Sequence, residues 1–416
     1  FKEIEKGFEL FKEGYELKPK EKEEGLPALE WTQREPVITR FAPNPNGPFH
    51  LGNARAVVLS HEYAKMYNGK FFLRFDDTDP KVKKPIGNAK EIYLEDLKWL
   101  GCVPDQIFFA SDRLEVYHEY MRRIIEVGQA YVCTCDVEEW RKLVSKKTAC
   151  ECREKPALEQ MKLFEKMVSN ELKEGSAVLR IKTDLNDSDP SVRDWWAAKI
   201  VDIVNHPNKN VLNKHVWPSY NFASAIDDHL LGVTLIIRGQ EHEQNMTKQK
   251  FLYKYFGWVY PHAIHFGRIK LGKIVLSTSK IKAGIEKGEY SGWDDPRLGT
   301  IMAFRRRGFV AQALKQAILD LGAKTNDTSI EMAKLADLNK AIIFDKAVSM
   351  DFIPEPVELE VNFTPEIEVN GIVLREGTQK FLVSKKEMDA LKDGEMFRLK
   401  KAYNAKLLEK GELSCS

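Results

Sequence analysis

Two periodicities alternate along the first part of the chain. Val37-Ile38-Thr39-Arg40-Phe41 has the β-branched and aromatic content of a strand. It runs into Pro43-Asn44-Pro45-Asn46-Gly47-Pro48, whose prolines continue neither a helix nor an inner strand, so a rigid loop is predicted. Apolar residues then return at helical spacing from about Leu51 to Tyr67, with Ala54, Val57 and Val58 on one side, until Asn68-Gly69 stops the run. Lys70 to Phe75 reads as a second strand and Gly87 to Leu100 as a second helix, and this alternation predicts parallel βαβ units. Near Cys133 the pattern breaks, and the mixed, charged stretch to about Asn213 reads as an insertion. Gly232 to Arg238 (strand), Gln244 to Phe256 (helix) and Ala263 to Ile269 (strand) then complete the interrupted sheet. From Pro296 to about Lys340 the chain is helical and locally basic, and after Pro354 short alternating segments such as Val357-Glu358-Leu359-Glu360-Val361 and Ile372-Val373-Leu374 predict an all-β end.

Composition bounds this picture. At roughly 150 residues per domain, 416 residues give two to four domains, and 43% hydrophobic with 30% charged residues is a globular mixture. No apolar run approaches the ~18 residues of a spanning helix, and Phe1-Lys2-Glu3-Ile4-Glu5 lacks a signal peptide's apolar stretch, so a cytoplasmic protein with no membrane partner is expected. Sixty-four Lys and Arg against 62 Asp and Glu leave a net charge of +2, so a nucleic acid would be held by local basic surface. The first thirty residues, rich in Lys and Glu with Phe8, Phe11 and Tyr15 interspersed, read as a solvated helix and linker.

Four features carry candidate chemistry. The helix that starts at His50 offers unpaired N–H groups and partial positive charge, which suit a phosphate; His50 and Asn53 add side-chain donors, and Gly52 lets a planar group approach the backbone. Leu73-Arg74-Phe75-Asp76-Asp77-Thr78-Asp79-Pro80 lies where the second strand ends, the side on which open parallel sheets bind ligands, although carboxylates there also cap helices. Arg238 ends an apolar strand, and a guanidinium in that position needs an anion, either a ligand or an Asp or Glu elsewhere in the chain. Cys133-Thr134-Cys135 and Cys150-Glu151-Cys152 are two local thiol pairs that fit a structural tetrahedral zinc, with chance thiols or a redox pair as alternatives; Cys102 and Cys415 stand apart.

Together these motifs resemble a known family. Arg40 to Asn53, with His50-Leu51-Gly52-Asn53 at its end, is similar to the first signature of class I aminoacyl-tRNA synthetases. Val275-Leu276-Ser277-Thr278-Ser279-Lys280 is similar to their second, KMSKS, loop, and Trp293-Asp294-Asp295-Pro296-Arg297 follows at the spacing of the glutamyl and glutaminyl branch. With Leu73 to Pro80 and Trp217 to Asn245, the resemblance is to archaeal-type glutamyl-tRNA synthetases over nearly the whole chain.

That resemblance implies a multidomain α/β protein: a charged arm (1–36), a Rossmann-like parallel sheet in two halves (37–131 and 214–275), and a zinc-containing acceptor-binding insertion between them (132–213). A KMSKS-like loop with a helical stem-contact domain (276–345) and an incomplete anticodon-binding β-barrel region (346–416) would follow. It implies a monomer that uses ATP and magnesium to form glutamyl adenylate and transfers L-glutamate to tRNA(Glu), with tRNA(Gln) as a further acceptor. His50, Asn53 and Lys280 would be catalytic, and Pro43, Gly52, Leu276, Ser277, Thr278 and Ser279 would join them around ATP. Arg40, Asp76 and Tyr220 would lie along the amino acid, with Asp76 on its ammonium and Arg238 on its side-chain carboxylate, where glutaminyl enzymes carry a neutral residue. Trp293, Asp294, Arg297 and the run Arg305-Arg306-Arg307 would contact tRNA, and zinc would sit on Cys133, Cys135, Cys150 and Cys152. Two residues depart from the family pattern. Thr278 replaces the loop's lysine, so Lys280 would act from a shifted anchor, and Asn221 stands where an acid is expected, a change without a physical account. The competing readings are a glutaminyl enzyme, against which Arg238 argues, a tRNA-modifying relative, against which the β-rich end argues, and a non-catalytic tRNA-binding relative.

Overall fold

The computed structural model describes residues 26–348, 352–363, 367–369, 372–374, 377–398, 404–409 and 412–414. Cys415 and the charged N-terminal helix expected before residue 25 lie outside the described residues. The chain divides into two units, Phe1–Phe344 and Asp345–Ser416.

In the first unit, β1 (Ile38–Phe41), α1 (Leu51–Met66), β2 (Lys70–Phe75), α2 (Ala89–Trp99), β3 (Gln106–Phe109) and α3 (Leu114–Glu126) follow the expected alternation. An insertion adds β4 (Ala130–Cys133), α4 (Val137–Ser145), α5 (Ala157–Val168), β5 (Val178–Ile181), β6 (Trp196–Ile200) and β7 (Val216–Pro218). Next come α6 (Tyr220–Leu230), β8 (Leu235–Gly239), α7 (Glu243–Phe256) and β9 (His262–Phe266). The unit ends with β10 (Ile269–Leu271), α8 (Thr278–Glu286), α9 (Ile301–Arg306), α10 (Ala311–Leu321), β11 (Thr328–Ile330) and α11 (Met332–Ile343).

The central sheet runs β3-β2-β1-β8-β9 and is parallel throughout, so the strand order reverses between β1 and β8 and opens a crevice at their C-terminal ends. Both faces are covered. Phe41, Val57, Val58, Leu73, Phe75 and Leu97 pack with Ile301, Phe304 and Leu314 in one core, and each such buried side chain contributes about 1.5–3 kcal/mol. The insertion forms its own antiparallel sheet, β4-β5-β6-β7, whose core includes Phe164, Leu179 and Trp217. Its strand β4 straddles the 132 boundary read from sequence and β7 lies beyond the 213 boundary, because both are short apolar strands that look like parts of the main sheet until their antiparallel partners are known.

The segment expected as one strand, Ala263 to Ile269, divides after Phe266. Gly267 N–H donates to Lys324 O at 2.9 Å and Arg268 N–H to Asp327 Oδ1 at 2.8 Å, which peels the chain off the sheet so that β10 pairs in parallel with β11. Arg55, fully buried on α1, joins the same region to the sheet by donating to the carbonyls of Gly267 at 2.6 Å and Gly322 at 2.7 Å.

In the second unit β12 (Pro356–Phe363), β13 (Ile367–Val369), β14 (Ile372–Leu374), β15 (Gly377–Ser384), α12 (Lys385–Ala390), β16 (Met396–Arg398), β17 (Asn404–Glu409) and β18 (Glu412–Ser414) follow in order. Five strands form one sheet, β15-β12-β18-β17-β16, and β13 pairs with β14. The all-β reading is corrected by α12, a short helix whose N-cap Ser384 Oγ accepts from Glu387 N–H at 3.2 Å and donates to Glu387 Oε2 at 2.7 Å. Ser384 thus acts as the N-cap of the helix, and the pair is spelled by Ser384-Lys385-Lys386-Glu387.

Candidate active site

The crevice at the strand reversal widens into a cavity of about 1250 Å³. Arg40 from β1, Asp76 just beyond β2, Arg238 from β8, Tyr220 and Asn221 from α6, Pro43 from the proline loop and Gly52 and Asn53 from α1 all line it. The amino-acid-binding set read from sequence is therefore brought together, with part of the nucleotide set beside it.

The proline loop is held from both sides. Asp76 N–H donates to Pro43 O at 2.8 Å, Ile86 N–H to Pro45 O at 2.9 Å and Tyr93 OH to Gly47 O at 3.1 Å. His50 is the N-cap of α1, its N–H donating to Asn53 Oδ1 at 3.4 Å, while Leu51 N–H donates to Gly299 O at 3.0 Å. The His50 Nδ1 atom is buried and unpartnered among the described residues, and burial lowers the imidazole's pKa to about 4, so it stays neutral at physiological pH. A Cβ on Gly52 would stand 3.0 Å from that ring, so any larger residue crowds the histidine.

The three carboxylates after β2 divide between structure and site. Asp77 accepts from Ser111 N–H at 2.8 Å and Ser111 Oγ at 2.7 Å and so ties the end of β2 to the segment before α3, while Asp79 accepts from Lys81 and Val82 N–H at 3.1 and 2.9 Å and holds a turn. Asp76 faces Arg74 NH1 at 3.4 Å. Burial raises its pKa and the Arg74 charge pulls it back, and an ammonium in the cavity would favour the carboxylate further. Arg74 is fully buried and paired with Asp227, which also accepts from Arg113 Nε at 2.6 Å and from the Tyr117 hydroxyl. The neighbouring Asp228 takes Arg40, Nε to Oδ1 at 2.9 Å and NH2 to Oδ2 at 3.0 Å. Sequence reasoning missed Asp227 and Asp228, though two acids directly after Phe222-Ala223-Ser224-Ala225-Ile226 were a visible signal.

Arg238 differs from Arg40 and Arg74, which are buried against carboxylates. It is 5% exposed, and its partners are His265 Nε2 at 3.3 Å, Gln249 Oε1 at 3.2 Å and Tyr260 OH at 3.1 Å, all uncharged acceptors. No carboxylate pairs with it among the described residues, so the intramolecular alternative read from sequence does not apply.

The second loop is not brought into the cavity. Leu276, Ser277, Thr278, Ser279 and Lys280 do not line it, and Lys280 is exposed on α8. The loop nevertheless touches the proline loop, since a Cβ on Gly47 would meet Thr278 Cγ2 at 2.6 Å and the Trp293 ring at 2.9 Å. Every arginine expected at tRNA also has a partner within the chain. Arg297 holds Asp295 at 2.7 Å, Arg305 binds Glu95 at 2.6 Å and the buried Asp96 at 2.9 Å, and Arg306 meets Asp294 at 3.2 Å. Arg307 lies over the Phe304 ring at 4.4 Å. Only Arg297 and Arg306 of these four are exposed.

The cavity reaches Cys133 and Cys135 past Trp140, Arg180 and Lys199. Cys133 and Cys150 Sγ are 4.0 Å apart, Cys135 and Cys152 Sγ 3.7 Å, and all four sulfurs lie within 4.8 Å of one another. A regular tetrahedron of thiolates about 2.3 Å from zinc has edges of about 3.8 Å, so the donor set fits that ion.

Comparison with known proteins agrees with this geometry. A family model described as tRNA synthetases class I (E and Q), catalytic domain, matches residues 36–344. Relatives include the glutamate–tRNA ligase of Pyrococcus abyssi, 50% identical over 401 residues, covering 93% of this chain and 70% of that protein. That of Thermococcus kodakarensis is 49% identical over 419 residues, covering 97% and 73%. A crystal structure of a glutamate tRNA ligase from Elizabethkingia meningosepticum, in complex with its amino acid, is similar in fold, with a TM-score of 0.54, 23% identity, and 74% and 70% of the two chains covered.

Proposed function

The chain belongs to the class I tRNA synthetases of the glutamate and glutamine branch and is a glutamate–tRNA ligase, and from that premise we propose how its residues divide the work. The observation that carries the proposal is Arg238, a buried cation on the cavity wall with no carboxylate of its own.

Glutamate enters with its ammonium on Asp76 and its side-chain carboxylate on Arg238, beside Arg40 and Tyr220. Two opposite charges at fixed positions read both ends of the amino acid, and each charge-assisted contact is stronger than a neutral one. ATP would be held at the N-terminus of α1 by Pro43, Gly52, His50 and Asn53, and its magnesium would neutralise charge on the phosphates. The glutamate α-carboxylate then attacks the α-phosphorus, pyrophosphate leaves, and a terminal ribose hydroxyl of tRNA(Glu) attacks the acyl carbon of the adenylate. His50, neutral, and Asn53 offer donors where negative charge grows, which lowers the barrier without a covalent protein intermediate. Lys280 supplies a cation to the leaving pyrophosphate when the segment Leu276 to Ser279 moves toward the site.

We further propose that Cys133, Cys135, Cys150 and Cys152 hold one structural zinc, which supplies a crosslink in the insertion and takes no part in the reaction. The insertion is proposed to bind the acceptor end, Trp293, Asp294 and the arginines at 297 and 305–307 the stem, and the strands after Pro354 to belong to an anticodon-reading barrel. The protein is proposed to act in the cytoplasm as a monomer. Pyrophosphate exchange in the presence of tRNA, compared between glutamate and glutamine, tests the function: exchange with glutamate supports it, and exchange with neither amino acid overturns it. Aminoacylation of tRNA(Gln) beside tRNA(Glu) reads the second acceptor.

A further inference from the structure

The surroundings of Arg238 are chemically selective. Arg40 has Asp228 and Arg74 has Asp227, yet Arg238, equally withdrawn from water, has only an imidazole, an amide and a phenol. No acid near it in the chain pairs with it: Asp228 holds Arg40, the exposed Glu241 lies 3.7 Å from Arg268, and the exposed Glu243 acts on the His265 ring. Gln249 is fully buried; its Oε1 accepts from both Arg238 and Tyr260 OH, the latter at 2.8 Å, while its Nε2 has no partner. An unsatisfied buried N–H is costly and calls for a reason. A glutamate at 249 would differ only at that atom and would bring Arg238 an ion pair. His265 accepts through Nε2 and so is the neutral Nδ1–H tautomer; burial, then the Arg238 charge, lowers its pKa.

We infer that Gln249, Tyr260 and His265 are specificity-determining positioning residues, which fix the Arg238 guanidinium with neutral acceptors alone and so keep its charge unmatched for the carboxylate of the substrate. None of the three lines the cavity. Their effect is exerted through Arg238, and the inference rests on reading Arg238 as the contact for the glutamate side chain. Glutamate and glutamine have nearly the same shape, so charge has to separate them. The desolvation of a buried, uncompensated cation is offset only when an anion arrives, and a neutral amide leaves it unpaired. A protein carboxylate at the same distance would neutralise the site before the substrate bound.

The test supplies that carboxylate. Gln249→Glu and, from the half-buried strand β9, His265→Glu are compared with Arg238→Cys in tRNA-dependent pyrophosphate exchange, with KM and kcat read separately for glutamate and glutamine and the unfolding midpoint recorded for each. The expected result is a KM for glutamate raised about tenfold or more in both glutamate variants, kcat within about threefold, and a fall in the glutamate-to-glutamine ratio. His265→Glu keeps the test open where Gln249→Glu does not fold. If Arg238→Cys raises KM while both glutamate variants leave it unchanged or merely gain stability, the surrounding residues are structural and the inference is overturned. If Arg238→Cys itself leaves KM unchanged, the assignment of Arg238 falls first, and the inference with it.

Discussion

Arg40 and Asp228 meet at two points, Nε on Oδ1 at 2.9 Å and NH2 on Oδ2 at 3.0 Å, with both side chains buried. The pair ties the end of β1 to α6 and fixes a guanidinium on the cavity wall. Removing one partner leaves an uncompensated buried charge, which typically costs about 3–5 kcal/mol. Asp228→Asn is therefore expected to lower stability by about that amount in denaturant unfolding; an unchanged midpoint would mean that water or another group compensates Arg40.

His50 is expected to stay neutral through the physiological range. Its pKa, lowered to about 4 by burial, predicts a ring titration in the folded protein near pH 4 instead of 6.5. The unfolded chain takes up a proton below about pH 6.5 that folded His50 refuses, so its contribution to stability is full above 6.5 and declines as pH falls toward 4. NMR titration of the ring checks this, and a midpoint near 6.5 would contradict it.

The three consecutive arginines are expected to behave differently. Arg306 is exposed, so Arg306→Ala should weaken tRNA binding and reduce the salt dependence of affinity by about one ion. Arg305 joins α9 to the buried Asp96 of α2, so Arg305→Ala should lower the unfolding midpoint. Filter binding over a salt series together with thermal unfolding separates them; an equal effect of both variants on tRNA alone would contradict the division.

Metal analysis of protein purified without chelator is expected to give about one zinc per chain. Cys152→Ser should lose it and unfold at a lower temperature, since structural zinc stabilises the fold that binds it. A content far below one equivalent in the unaltered protein would contradict the site.

Much of the fold was legible because the relevant pattern is local. The apolar alternation of β1, α1, β2 and α2 and the proline loop each speak through neighbouring residues. What escaped is non-local. β4 and β7 could be assigned to the insertion only through their antiparallel partners. Asp227 and Asp228 sit on a helix where charged residues ordinarily read as a solvated face, yet both are buried against arginines from β1, β2 and the start of α3. Gln249, Tyr260 and His265 lie 11, 22 and 27 residues from Arg238 and converge on it only once β8, α7 and β9 are packed. Conversely, Arg305-Arg306-Arg307 reads as free basic surface in sequence, and the fold gives each an internal partner.

The measurement that tests the account most directly is aminoacylation of tRNA(Glu) with labelled glutamate and labelled glutamine by the unaltered chain and by Arg238→Cys. Charging with glutamate alone is expected in the unaltered chain, and a KM for glutamate raised about tenfold or more by the substitution. Charging with glutamine, or a variant with unchanged KM, would contradict the reading of Arg238 as the residue that selects the substrate.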